Sequence, residues 1–285
     1  MTMRHYRKVT CIGAGFMSGS LAKDLLSLGI ADEVVGLARD EKRAEEIRAL
    51  GVFSTVTCLF DDAVLEADVV IIATPVSLIF RYICEVSEFC SKHDQQTLLM
   101  DIGSTTGEIM KKVCGRIEGG DDWLKSHFVS SHPLCGSELS GAEHAKEGVY
   151  RGASCVLSPI EKGGALERAV SFWQGVGSKV FMLSGQEHDR ILSYTSHLPH
   201  VLSFAYCMGV DPLMTDFTAG SFRDLTRIGK SAGDLWKDIF VSNREEILKS
   251  IDLFRRNLDD LSLYIERGDA AGLNRYFSSI KEKGL

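Results

Sequence analysis

Apolar residues in the first two thirds of the chain alternate between short continuous runs and longer amphipathic stretches. The continuous runs are apolar on both faces, which is typical of parallel strands covered by helices on either side. Strands are predicted at 8–12, 33–37, 68–73, 97–100, 128–131, 153–157 and 179–183, and helices at 21–28, 42–50 and 77–90. This alternation predicts an α/β fold with a doubly wound, mostly parallel sheet, which we assign to residues 1–184.

After residue 184 the strand pattern stops and helical periodicity takes over. Helices are predicted at 187–208, 221–228, 235–266 and 270–283, with Gly209, Gly220 and Gly268 between them. The third helix is longer than the mean of about 11–12 residues. Its apolar stripe has no partner in a single helix and consists of Leu248, Ile251, Leu258, Leu261 and Ile265. We therefore predict an all-α C-terminal domain, residues 185–285, through which the protein forms a homodimer.

Composition restricts the class of protein. The chain has 285 residues, of which 45% are hydrophobic and 25% charged, as in a soluble globular protein of one or two domains. The net charge of −7 argues against a nucleic-acid-binding surface. No apolar run approaches the ~20 residues that span a bilayer, and the N-terminus lacks the apolar segment of a signal peptide. The eight cysteines contain no C-x-x-C pair, which suits reduced thiols. We expect a cytoplasmic protein without membrane contact.

A glycine-rich loop at 13–19, with the sequence Gly-Ala-Gly-Phe-Met-Ser-Gly, follows the first predicted strand and precedes a predicted helix. In that context it predicts a Rossmann-type dinucleotide site, whereas an isolated glycine turn needs no ligand. Gly13 allows the tight turn, Gly15 lets the pyrophosphate approach the backbone, and the helix N-terminus supplies N–H donors. Ser18 replaces the third glycine of the fingerprint, and we expect its small side chain, followed by Gly19, to suffice. The residues assigned to the cofactor are Gly13, Gly15, Phe16, Met17, Ser18, Arg39 and Thr74.

The end of the second predicted strand bears on the choice between NAD and NADP. NAD sites place a carboxylate there for the ribose 2′-hydroxyl. Here the position is Ala38, followed by Arg39 and Asp40. A missing carboxylate beside an arginine suits a 2′-phosphate, so we predict NADP rather than NAD. The alternative is that Arg39 is a solvated residue at a helix start and that Asp40 is only the helix N-cap.

Two polar residues follow predicted strands where α/β enzymes place their chemistry. Ser104 comes after strand 97–100, where its hydroxyl is positioned to bond substrate and nicotinamide or, alternatively, to cap a helix. His132 comes after strand 128–131, and Pro133 and Gly136 predict an irregular turn that directs the ring. A lone histidine is usually structural, but its ordinary pKa of about 6.5 suits acid–base catalysis.

Two helical segments carry further candidate residues. Pro199 lies between His197 and His200 inside a predicted helix, where proline costs about 3 kcal/mol and kinks the helix. A metal pair is the rival interpretation of the histidines, but no third ligand stands at a suitable spacing, so we expect no metal. Asp224 and Arg227 are one helical turn apart, which also fits a surface salt bridge worth ~0.2–0.5 kcal/mol.

Segments 101–104, 131–138, 196–200 and 222–227 resemble, in order and spacing, the prephenate/arogenate dehydrogenase family of tyrosine biosynthesis. The resemblance extends over nearly the whole chain. It implies NAD(P)-dependent oxidative decarboxylation of prephenate to 4-hydroxyphenylpyruvate, in which hydride passes from C4 to the nicotinamide.

The same resemblance assigns roles to individual residues. His132 accepts a hydrogen bond from the C4 hydroxyl of the substrate, and Ser104 contacts that hydroxyl. Arg227 binds a substrate carboxylate through its two-pronged guanidinium, oriented by Asp224. The resemblance also places His197 against the substrate and Glu138 near the mouth of the active site.

Other functions stay open. The residues do not decide between prephenate and arogenate, although the second histidine of 196–200 favours prephenate. A β-hydroxyacid dehydrogenase or an imine reductase shares the sheet-plus-helices plan, but neither explains segment 131–138 beside 222–227. A protein of another class, an NADP-binding sensor without catalysis, would bind nucleotide and leave prephenate unchanged.

Overall fold

The computed structural model describes residues 4–136 and 139–284. The strands are β1 (Tyr6–Ile12), β2 (Ala31–Leu37), β3 (Thr55–Thr57), β4 (Val69–Ile72), β5 (Leu98–Asp101), β6 (Phe128–Pro133), β7 (Ser154–Pro159) and β8 (Lys179–Met182). The helices are α1 (Phe16–Ser27), α2 (Glu41–Arg48), α3 (Phe60–Val64), α4 (Val76–Lys92), α5 (Gly107–Glu118), α6 (Asp122–His127), α7 (Gly164–Gly175), α8 (Gly185–Leu192), α9 (Leu198–Met208), α10 (Gly220–Ile228), α11 (Gly233–Ser242), α12 (Arg244–Glu266) and α13 (Ala270–Glu282). A π-helical turn (Ser193–His197) joins α8 to α9.

The strands form one sheet in the order β3-β2-β1-β4-β5-β6-β7-β8. From β3 to β6 all neighbours are parallel, β7 pairs antiparallel with β6, and β8 runs parallel to β7. The chain builds outward from β1 through β2 and β3 and then returns to the other side of β1 with β4. The predicted doubly wound, mostly parallel sheet is confirmed, and its switch point lies between β1 and β4.

Two hydrophobic clusters cover the two faces of the sheet. On β4, Val69 and Ile71 belong to one cluster, which includes residues of α1 and α7. The intervening Val70 and Ile72 belong to the other, which includes residues of α4 and α5. Because successive side chains of a strand point to opposite faces, a strand covered on both sides must be apolar at every position. This is why the central strands read as continuous apolar runs.

The structure adds elements that the hydrophobic pattern does not predict: β3, α3, α5, α6 and α7. The strand β3 is an edge strand of three residues with only Val56 buried. Helix α5 buries only Ile109 and Val113 on one side, and the polar rest of the helix masks that stripe. Short or mostly polar elements give little periodic signal, so they emerge only through their packing against the sheet.

The single long helix predicted at 235–266 is wrong, because the chain breaks at Asn243 between α11 and α12. Asn243 has φ −109° and ψ 27°, outside the helical region. Its side chain is buried, and Nδ2 donates to the Asp189 carbonyl at 2.9 Å. A hydrogen bond to a distant part of the chain thus replaces the continuing helix, which local periodicity does not reveal.

The chain divides into two compact units. The first contains the sheet and comprises residues through 191 together with 230–243, so it includes α8 and α11. The second comprises 192–229 and 244–285 and is helical. The domain boundary predicted after residue 184 stays a prediction. Among the helices of the described residues, none is both long and apolar enough to cross a membrane.

Candidate functional site

One edge of the sheet gathers the candidate residues of the first unit. Because β1, β2, β4, β5 and β6 are parallel neighbours, their carboxyl ends lie along the same edge. Gly13 follows β1, Ala38 follows β2 and Thr74 comes just after β4, while Ser104 follows β5 and His132 lies at the end of β6. The topology therefore brings the nucleotide loop and the two candidate catalytic residues to one side of the sheet, at the place where ligands bind in doubly wound folds.

The glycine loop has the geometry of a phosphate cradle. Gly13 has φ +97°, and a Cβ on it would lie 2.7 Å from the carbonyl oxygen of Ala73. A Cβ on Gly15, by contrast, would meet nothing within 4 Å, so the backbone there is open to a ligand. The Ser18 hydroxyl donates to the Gly13 carbonyl at 2.6 Å and accepts from the Gly15 N–H at 2.9 Å, which braces the turn. These residues fit a dinucleotide pyrophosphate.

The neighbours of this loop are packed tightly. Phe16 begins α1 and is buried, and the Met17 carbonyl accepts a hydrogen bond from the buried Tyr150 hydroxyl at 2.7 Å. A Cβ on Gly19 would lie 3.0 Å from the Ala145 side chain. The close approach that a third glycine normally provides thus falls to Gly19, one residue after Ser18.

At the end of β2 the structure places one exposed cation. Ala38 is buried, whereas the Arg39 side chain is 83% exposed and pairs through Nε with Asp40 Oδ2 at 3.1 Å. The other Asp40 oxygen accepts the Arg43 N–H at 2.8 Å, so Asp40 is the N-cap of α2. This hydrogen bond and the nearby Arg39 lower the pKa of Asp40. Arg39 therefore stays exposed at the carboxyl end of β2, beside the N-cap of α2.

The alternative role of Ser104 as a helix cap is wrong. Helix α5 begins at Gly107, and its first N–H groups are capped by Asp189 of α8. Asp189 Oδ1 accepts from the Thr106 N–H and Oδ2 from the Gly107 N–H, both at 2.8 Å. A Cβ on Gly107 would lie 2.7 Å from Oδ2, so glycine permits this approach. Within the described residues the half-buried Ser104 hydroxyl has no hydrogen-bond partner, which leaves it available to a ligand.

A buried carboxyl group lies just before the Ser104 turn. Asp101 ends β5 and is fully buried, and its Oδ2 accepts the Gly103 N–H at 2.9 Å. Burial raises the pKa of Asp101 to about 7. A Cβ on Gly103 would lie 2.7 Å from the Ile79 side chain, so the turn that carries Ser104 is tightly constrained.

His132 is held within β6 rather than in a turn. It pairs with Val156 of β7, and Pro133 still pairs with Cys155, so the predicted irregular turn begins only at Leu134. The His132 ring is half-buried, and its Nδ1 lies 2.8 Å from Nε2 of His188. A strand fixes the backbone of His132 more firmly than a loop would.

Behind His132 stands a pair of residues that the sequence patterns did not indicate, His188 and Asp189. His188 is fully buried, and its Nδ1 lies 2.8 Å from Asp189 Oδ1. The available signal was the start of α8, where Ser184 and Glu187 cap each other reciprocally and place a His-Asp pair in the first turn. That signal locates a helix, but the contact with His132 exists only in the folded chain.

The second unit contains the other candidate residues. His197 is buried in the π-helical turn, two residues before Pro199. Proline cannot donate an N–H to the preceding turn, and in place of a kink within one helix at 187–208 the structure has a π-helical turn just before Pro199, between α8 and α9. His200 is half-buried, its Nδ1 donates to the Ser196 carbonyl at 2.9 Å, and burial lowers its pKa. His200 therefore belongs to the packing of the helix.

Asp224 and Arg227 are both exposed on α10. Within the described residues no ion pair joins them, so the surface salt bridge that their spacing allows is absent. The orienting role that the resemblance gives to Asp224 stays a prediction. Glu138 lies outside the described residues. In the part of the chain that is described, no group of three or more His, Cys, Asp or Glu residues could hold a metal ion.

Known proteins match both parts of the chain. Residues 21–182 match the nucleotide-binding domain of prephenate dehydrogenase, and residues 184–279 match its dimerization domain. The chain is similar to prephenate dehydrogenase of Bacillus subtilis, at 31% identity over 95% of this chain and 73% of the relative. It is similar to cyclohexadienyl dehydrogenase of Zymomonas mobilis, at 28% identity over 99% of this chain and 97% of the relative.

A solved structure shows the same architecture. The crystal structure of prephenate dehydrogenase from A. aeolicus, in complex with hydroxyphenyl propionate and NAD+, superposes with a TM-score of 0.83 at 28% identity. The match covers 97% of this chain and 96% of that one. Sequence, both domain models and fold therefore agree, and the chain belongs to the prephenate dehydrogenase family.

Proposed function

We propose that this protein is an NAD(P)-dependent prephenate dehydrogenase that converts prephenate to 4-hydroxyphenylpyruvate. The observation that carries the proposal is the position of His132, the next-to-last residue of β6, at the sheet edge that carries the glycine loop and with the buried His188 and Asp189 behind it. A bound nicotinamide supplies the hydride acceptor. Family membership and the NAD+ complex of the A. aeolicus relative support this assignment.

His132 supplies the acid–base chemistry of the reaction. Loss of hydride from C4 turns the C4 hydroxyl into a carbonyl-like oxygen, so its proton needs an acceptor, and a neutral imidazole provides one. Carbon dioxide then leaves from C1, the electron pair of the broken C–C bond makes the ring aromatic, and the C4 oxygen takes the proton back from His132 as a phenol hydroxyl; aromatisation drives the reaction. The protein therefore contributes chiefly positioning and a hydrogen-bond acceptor. Ser104, on the next strand end, bonds the same hydroxyl.

The remaining contacts with substrate are assigned by family resemblance. Arg227 presents an exposed guanidinium on α10, a group that binds a carboxylate through two parallel hydrogen bonds. His197 faces the substrate ring. Asp224 and Glu138 complete the substrate-binding residues, with Asp224 one turn before Arg227.

A second candidate substrate is arogenate, which has an amino acid side chain in place of the keto acid. The similarity to a cyclohexadienyl dehydrogenase, which covers 97% of that relative, supports arogenate as the second candidate. Steady-state kinetics with prephenate and arogenate, each with NAD and NADP, decide the choice through the ratio of kcat/KM values.

We further propose that the protein prefers NADP and acts as a homodimer through residues 185–285. The buried Ala38 offers no carboxylate to a ribose hydroxyl, and the exposed Arg39 offers a positive charge to a 2′-phosphate. On α12, Leu248, Leu258 and Ile265 are 60%, 46% and 63% exposed, which is costly for an apolar stripe in water.

Substitutions of His132 and of Arg227 are expected to change different kinetic constants. His132→Asn removes the proton acceptor, so kcat should fall by about 10²–10⁴ while KM for prephenate changes little. Arg227→Ala removes a contact made in both ground and transition states, so KM should rise far more than kcat falls. The measurement is initial-rate kinetics of nicotinamide reduction. A His132→Asn enzyme with normal kcat, or a wild type that leaves prephenate unchanged, contradicts the proposed function.

Cofactor preference should depend on Arg39. Arg39→Ala is expected to raise KM for NADP by at least about tenfold, because a hydrogen bond between charged groups is worth roughly 1.5–3 kcal/mol. KM for NAD should change little, since NAD has no 2′-phosphate. The matched control is Arg7→Ala, which removes an arginine 80% exposed at the start of β1, away from this edge. Equal effects of Arg39→Ala on both cofactors rule out the NADP proposal.

Gly13 should be essential for nucleotide binding. Gly13→Ala drives a Cβ to 2.7 Å from the Ala73 carbonyl and strains a backbone at φ +97°, which should distort the crevice. We expect Kd for the dinucleotide to rise at least about tenfold, or ~1.4 kcal/mol, in a fluorescence titration. The control is Gly29→Ala, where φ is +63° but nothing lies within 4 Å. That variant should lose stability and keep its Kd, and parallel losses of Kd would mean that strain alone matters.

The helical half should dimerise. Sedimentation velocity at micromolar concentration is expected to show a dimer, and Leu258→Glu on α12 should shift it toward the monomer because a charge in a buried interface is costly. Leu65→Glu, at a leucine of the first unit that is 45% exposed, is the matched control and should leave the dimer intact. A monomeric wild type would refute the dimer.

A further inference from the structure

We propose that His188 and Asp189 are positioning residues that hold His132 as the tautomer protonated on Nδ1, with the Nε2 lone pair directed to substrate. The contacts form one continuous chain. His132 Nδ1 lies 2.8 Å from His188 Nε2, and His188 Nδ1 lies 2.8 Å from Asp189 Oδ1. The effect on catalysis rests on the proposed function, whereas the tautomer itself does not.

The carboxylate of Asp189 sets the direction of this chain. It receives the backbone N–H groups of Thr106 and Gly107, which are obligatory donors, on its two oxygens. An ionised carboxylate only accepts hydrogen bonds, so the third contact, from His188 Nδ1, must be an N–H donor. The two backbone N–H groups and His188 Nδ1 thus meet on one carboxylate, in a site where Asp189 is only 5% exposed.

The donor–acceptor direction of the Asp189–His188 hydrogen bond then fixes that of the His188–His132 hydrogen bond. A neutral His188 with a proton on Nδ1 has a bare Nε2, which can only accept. His132 Nδ1, at 2.8 Å from it, must therefore donate, and its own proton sits on Nδ1. The remaining nitrogen of His132, Nε2, is the basic one. The His188 ring is fully buried, so solvent does not compete for these hydrogen bonds.

Asp189 acts on Ser104 as well. The N–H groups that it accepts belong to Thr106 and Gly107, the residues that end the 102–107 turn. Its backbone carbonyl accepts from Asn243 Nδ2 at 2.9 Å, which anchors α8 from the end of α11. One side chain thus fixes the tautomer of His132 and the turn that carries Ser104. When His132 takes up the substrate proton, the negative charge of Asp189, reached through His188, stabilises the imidazolium.

The first test reads the tautomer directly. Long-range proton–nitrogen spectra of protein labelled with ¹⁵N-histidine are recorded at about pH 8, where an imidazole of ordinary pKa is neutral. The His132→Asn spectrum identifies the His132 signals. We expect wild-type His132 to carry its proton on Nδ1. A proton on Nε2 overturns the proposal, whatever the activity of the enzyme.

The second test distinguishes the contacts made by the two ring nitrogens of His188. The amide of His188→Asn occupies the place of Nδ1 and keeps a donor to Asp189, but it no longer reaches His132. The amide of His188→Gln reaches the place of Nε2 and offers its oxygen to His132. We expect His188→Asn to shift His132 toward the Nε2–H form and to lower kcat about 10–10²-fold with KM nearly unchanged, a loss similar to that seen when the hydrogen-bond partner of a metal-bound histidine is removed. His188→Gln should keep the Nδ1–H form and more of kcat.

A purely structural role predicts another result. Equal losses of kcat in His188→Asn and His188→Gln, with the His132 tautomer unchanged in both, overturn the proposal. His127→Asn is the matched control, since it removes a histidine that stacks on Trp123 at 4.4 Å on the same unit and should leave the His132 signals in place. If the wild type shows the Nδ1–H form but does not oxidise prephenate, the proposed function fails and the positioning role stands.

Discussion

The three N–H groups that converge on the Asp189 carboxylate organise the site of the first unit. An unpaired carboxylate at this depth would be strongly destabilising, and the donors that satisfy it come from three places: the turn before α5, the start of that helix, and His188. Each donor is thereby fixed in position. Because His188 also contacts His132, the hydrogen bonds that satisfy the buried Asp189 carboxylate also orient the candidate base. The start of α8 thus contributes the buried carboxylate, the helix contacts that satisfy it and the histidine that orients His132.

The parallel sheet explains why these groups meet the nucleotide loop. Strands that run in the same direction deliver their carboxyl ends to one edge, and the reversal of strand order between β1 and β4 opens a crevice there. A Cβ on Gly13 would lie 2.7 Å from the Ala73 carbonyl oxygen there, whereas the space beside Gly15 is open. The same topology sets Ser104 and His132 on adjacent strands. The glycine loop and the candidate acid–base residues therefore share an edge of the sheet without any long loop to position them.

Asp40 and Ser104 show that polar residues at similar positions along the chain can have different roles. Both stand where a helix begins, and sequence spacing allows either to be a cap. Asp40 is the cap of α2, and its partner Arg39 remains exposed at the carboxyl end of β2. Ser104 is not the cap of α5, because Asp189 occupies that role from another helix. The distinction depends on whether a competing acceptor arrives from elsewhere in the fold, and no local pattern carries that information.

Local patterns by themselves determined the sheet, the helical C-terminal part, the glycine loop and the family, because apolar runs covered on both faces and contiguous motifs are written in consecutive residues. They did not determine the break at Asn243 or the absence of an Asp224–Arg227 ion pair within the described residues, since both depend on partners or on side-chain geometry far from the pattern. The His132–His188–Asp189 chain was likewise decided only by the tertiary structure. It joins residues 56 positions apart in sequence, and hydrogen bonds of that kind form only once a strand and a helix have packed together and excluded water.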